Sequence, residues 1–115
     1  MKSRNYLFLL FAALFSVHAN AHVKLLESIP AKGAVLQFAP EQLTLKFSAS
    51  SRIAKLKIYS TSGEKVDVGF KPTKTPNENF SWTLPVLSPG TYQVEIVYFG
   101  KDGHKMKANY SFTQQ

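Results

Sequence analysis

The 115-residue chain has three histidines, His18, His22 and His104, and two of them stand where they could act as metal ligands. His22 directly follows Ala19-Asn20-Ala21, a small-x-small end of the kind a signal peptidase cuts. Cleavage after Ala21 would make His22 the first residue, so that its α-amine and its imidazole could chelate one ion together. Their ordinary pKa values, about 8 and about 6.5, leave both available as neutral donors near neutral pH. His104 could add a second imidazole, and Asp102, two residues earlier, an oxygen. Nitrogen donors with one oxygen in a plane suit Cu(II), which stands at the top of the divalent affinity series.

The same residues admit plainer readings. Asp102-Gly103 is a hairpin-turn signal, His104 can be an ordinary exposed loop residue, and a histidine after a cleavage site can be fortuitous. They gain weight together, because the chain has no other histidine from position 22 onward.

The segment before His22 reads as a secretory signal. Lys2 and Arg4 precede an apolar run from Tyr6 to Phe15, and Ala-x-Ala closes it. The run is too short for a bilayer core, which needs roughly 20 residues, and no second apolar run follows. The expected mature chain is therefore a soluble, exported domain spanning 22–115. It carries twelve basic and seven acidic side chains, a net charge of +5 with histidine neutral. The lysines are spread from Lys24 to Lys107 without a run, which reads as a solvated surface. Nucleic-acid binding would call for basic clusters with aromatic platforms; weak attraction to anionic membranes stays open. With no cysteine, thiolate zinc and iron–sulfur sites are excluded and no disulfide supports the core.

Short strands must position the candidate ligands. Gln42–Phe47 alternates polar and apolar residues, Ile53–Tyr59 repeats the pattern, and Thr91–Phe99 is rich in tyrosine, valine and isoleucine. Phe80–Leu84 and Lys105–Thr113 add two more, with Met106, Ala108, Tyr110 and Phe112 on one face of the last. A first strand at about Val23–Ser28 brings the count to six or seven, and Lys71–Asn79 reads as a loop. This spacing predicts a single all-β domain, a β-sandwich. Asp102-Gly103-His104 falls in the connection between the last two strands, so the first strand must bring His22 to that end. Trp82, Tyr92, Tyr98, Tyr110 and Phe112 read as core and sheet-face aromatics.

The chain resembles the CopC copper-resistance family. The resemblance rests on Ala21-His22-Val23 with Ser28-Ile29-Pro30-Ala31-Lys32-Gly33, on Pro40 with Leu43-Thr44-Leu45-Lys46-Phe47-Ser48, on Leu87–Val94, and on Asp102-Gly103-His104 with Tyr110-Ser111-Phe112. It implies an immunoglobulin-like Greek-key β-sandwich of about seven strands, monomeric and periplasmic, that binds Cu(II). His22 would bind through amine and imidazole, with His104 as second imidazole and Asp102 on or near the metal. The implied role is sequestration, resistance, or delivery to a CopD-like inner-membrane partner. Two departures matter: Ala49 stands where some members place a glutamate near the copper, and Met106 is the only methionine after the signal, so a separate Cu(I) thioether site is not expected.

Two rivals come from other classes. A terminal histidine with a second histidine is also the copper brace of the lytic polysaccharide monooxygenases, and a sandwich can serve as a metal-free interaction module. Against an enzyme stand the short chain and the lack of a flat aromatic surface for a glycan. No glycine-rich phosphate loop is present, and histidines committed to metal leave no general base for a serine nucleophile.

Overall fold

The longest element, Gln42–Ser60, belongs to both layers of the fold. The computed structural model describes residues 22–115, so the expected signal at 1–21 lies outside the described residues. Seven strands follow in order: β1 Leu25–Ile29, β2 Val35–Leu36, β3 Gln42–Ser60, β4 Lys65–Val66, β5 Asn77–Thr83, β6 Gly90–Phe99 and β7 Lys105–Gln114. The first half of β3 pairs antiparallel with β1 and β5. Its second half pairs with β4 and β6, and β7 and β2 extend that second sheet. The immunoglobulin-like, all-β sandwich expected from the sequence is the architecture observed.

The sequence reads β3 as two strands, whereas the structure joins them. Ser48-Ala49-Ser50-Ser51 is small enough to carry extended chain from one sheet to the other. Pairing with β5 is irregular between Lys46 and Ser51, where the strand changes sheets. A second irregularity lies between Ile53 and Lys55 in the pairing with β6. Leu43, Leu45, Phe47, Ser51 and Ile53 point inward at odd positions, and Leu56 and Ile58 at even ones. One extra residue, at Ala54, restores the inward phase, as a β-bulge does.

Other boundaries differ in kind. Asn77–Asn79, expected to end a loop, instead open β5, because Asn79 pairs with Lys46 and Asn77 with Ser51. The two-residue strands β2 and β4 have no periodicity to reveal them; cross-strand pairing alone defines them.

The core lies between the sheets. Phe47 is fully buried, and its ring centre is 4.7 Å from Tyr98 and 6.0 Å from Phe80, which ties the two sheets together. At the start of β6 the Tyr92 hydroxyl donates to the Ser88 carbonyl at 2.6 Å, a tyrosine closing on the chain just upstream. Phe47→Ala should therefore lower unfolding free energy by about 3–5 kcal/mol, read as a lower urea midpoint at unchanged slope.

Candidate metal centre

The β6–β7 hairpin is closed by Gly100–His104. Gly103 adopts φ +80°, a left-handed conformation that suits glycine, and its N–H donates to the Gly100 carbonyl at 3.0 Å. Asp102 then organises His104 twice. Its Oδ1 accepts the His104 backbone N–H at 3.1 Å, and its Oδ2 stands 2.7 Å from His104 Nδ1. A carboxylate on Nδ1 makes that nitrogen the protonated one and leaves Nε2 as the free lone pair, the arrangement by which carboxylates orient metal-binding histidines.

The N-terminal arm reaches the same end through backbone bonds. The Ser48 N–H donates to the Lys24 carbonyl, and the Lys24 N–H donates to Ser48 Oγ, both at 2.8 Å. One residue earlier, the Tyr98 hydroxyl donates to the Val23 carbonyl at 2.9 Å. Burial raises the Tyr98 pKa, which keeps the phenol a neutral donor. Gly100 supplies the floor: a Cβ there would lie 3.1 Å from both Val23 Cγ2 and Asp102 Oδ1. Val23 therefore lies against the base of the hairpin, and His22 emerges beside it.

His22 and His104 consequently face each other across open surface, with ring centres 6.5 Å apart and planes tilted by 51°. Metal–nitrogen bonds of about 2 Å allow two imidazoles on one ion to have centres up to roughly 6.4 Å apart. The observed 6.5 Å lies just beyond that limit, so the two rings must approach slightly to share one ion. Side chains alone do not complete the set: among the described residues no three His, Cys, Asp or Glu side chains cluster as a metal site. The expected third nitrogen is the α-amine of His22, which exists only once the Ala21–His22 peptide bond is cut. Ala49 brings no donor, as the sequence indicates.

Of the expected ligands, the structure brings His22 and His104 together and places Asp102 against His104. Sequence reasoning missed the positioning residues Ser48, Tyr98 and Gly100. Only the pairing of distant strands reveals them, since each looks like an ordinary strand residue locally.

A family model for the CopC domain matches residues 25–115. Protein YobA of Escherichia coli strain K12 is 32% identical over 130 aligned positions, covering 96% of this chain and 92% of YobA, and the Shigella flexneri protein of that name aligns equally. The crystal structure of PcoC, a methionine-rich copper resistance protein from Escherichia coli, superposes with a TM-score of 0.67 at 27% identity, covering 83% of this chain and all of PcoC. CopC from Methylosinus trichosporium OB3b shares the fold, with a TM-score of 0.68 at 23% identity over 82% of this chain and 94% of that one.

The geometry fixes a titration behaviour. The His104 backbone N–H is the largest influence holding the Asp102 carboxyl below the ordinary aspartate range; desolvation opposes it, and the His104 side chain adds a smaller lowering. A depressed folded-state pKa adds stability above the unfolded value and loses it as pH falls through the folded one. In NMR titrations Asp102 should have a midpoint below 3.8. His104→Ala retains the backbone N–H, so it should move that midpoint only part of the way back.

Proposed function

As the chain belongs to the CopC family, we propose that it is a periplasmic Cu(II)-binding protein serving copper resistance, sequestration or delivery. The observation that carries the reading is the convergence of His22 and His104, 6.5 Å apart at ring centres, in a fold shared with copper-resistance proteins. In this reading export removes residues 1–21 and frees the His22 α-amine. The amine and imidazole of His22, together with His104 Nε2, would then hold the ion. Asp102, on or beside the ion, fixes the His104 tautomer and contributes a negative charge that favours a divalent cation.

The site is open, which suits an ion that must arrive and leave. Asp102 and His104 keep 57% and 68% of their side-chain surface exposed. All the donors are nitrogen or oxygen, a set that favours Cu(II) over Cu(I). Met106, whose Cε lies 3.6 Å from the position of a Gly100 Cβ, packs under the hairpin and has no second methionine with it. A CopD-like inner-membrane protein is the proposed recipient, and the domain acts as a monomer that holds copper without turning over a substrate.

Native mass spectrometry with Cu(II) titration tests this on the chain beginning at His22. One ion should bind, and His104→Ala should abolish tight binding. Asp102→Asn should weaken it about 10–100-fold, the usual cost of losing an orienting partner. One extra residue before His22 should remove the chelate while leaving the fold intact. Protons compete for every donor, so binding should weaken as the solution is acidified. Stoichiometric binding unaffected by both the extra residue and His104→Ala would refute the assignment.

A further inference from the structure

The cations that look scattered in the sequence are not scattered in space. On the outer face of the second sheet, β3, β6 and β7 align in cross-strand rows. Arg52, Phe99 and Lys105 form one, Lys55, Val97 and Lys107 the next, and Lys57, Glu95 and Asn109 a third. Lys65 joins the same face beside Tyr59. The face thus holds six of the twelve basic side chains from position 22 onward and one of the seven carboxylates. Elsewhere in this domain six cations face six carboxylates, so the entire net charge of +5 belongs to this one face. Its single acid is already engaged, because Tyr59 donates to Glu95 Oε1 at 2.8 Å. Among the described residues no lysine or arginine lies within salt-bridge distance of a carboxylate.

We infer that this face docks the protein on a bilayer bearing anionic phospholipid headgroups. Strands lie about 4.8 Å apart and next-but-one residues about 7 Å, so the cations occupy a patch roughly 10 by 20 Å. That is comparable to the Debye length of about 8 Å in physiological salt, and their fields therefore add. Five of the six are lysines, point charges on flexible stems that suit a fluid array of phosphates better than fork-shaped recognition. Half-buried Val97 and Phe99 lie between them, where apolar side chains can settle among headgroups while the lysines reach outward. The Phe99–Lys105 row borders the Gly100–His104 hairpin, so docking would set that hairpin at the rim of the membrane contact. The inference stands without copper.

Vesicle sedimentation of the metal-free chain beginning at His22 tests it; this stretch carries the packed core described above. Phosphatidylcholine vesicles with about a third phosphatidylglycerol should bind it, and pure phosphatidylcholine should not. Half-molar salt should release it. K55Q/K107Q should lower partitioning about 25-fold, at about fivefold per lysine near a charged surface. K46Q, on the outer face of the first sheet, should change partitioning less than about twofold, against about fivefold for K55Q alone. Equal losses in K46Q and K55Q, or no binding to the anionic vesicles, would overturn the proposal.

Discussion

One strand serving two sheets constrains the rest of this molecule. β3 must keep a buried face through 19 residues while leaving one sheet for the other. Small residues at the crossing allow the passage, and the irregularity at Ala54 corrects the phase that a strict alternation would lose. Phe47, just before the crossing, packs on Tyr98 of β6. Ser48, the next residue, faces the other way and captures the backbone of Lys24. Core and N-terminal arm are thus held by neighbouring residues of one strand with opposite orientations.

The candidate centre inherits its geometry from that crossing. Ser48 and Tyr98 hold consecutive residues of the arm through backbone groups, so what fixes His22 does not depend on its own side chain. On the opposite side Asp102 fixes both the backbone and the ring of His104. Two exposed imidazoles would otherwise sample many rotamers. Here only His22 retains that freedom, and a chelate with its own amine would remove it. An ion held as proposed would sit at the surface with no charge buried, which avoids the large desolvation cost of a buried one.

The outer face of the second sheet follows from the same alternation seen from outside. Wherever β3, β6 and β7 bury Ile58, Val94 and Tyr110, the intervening positions must point to solvent. Cations at those positions in β3 and β7, which flank β6, then fall into one patch. In the linear sequence they are isolated residues up to 55 positions apart, Arg52 to Lys107. The scattered, solvated surface suggested by that spacing becomes a single charged face through strand pairing.

Much of the architecture was legible in the residues themselves. Period-two alternation marked β3, β6 and β7, because a half-buried strand leaves that signature locally. The absence of cysteine, the lone methionine after position 21 and the two remaining histidines narrowed the metal chemistry to nitrogen and oxygen donors. The sequence alone could not join the two halves of β3, find β2 and β4, or start β5 at Asn77, since pairing between distant segments defines these. Nor could it select Ser48, Tyr98 and Gly100 as the residues that bring Val23 to the hairpin. Donor types are a property of composition, whereas their meeting within 6.5 Å and the gathering of charge on one face belong to register and layer, which exist only once the sheets have formed.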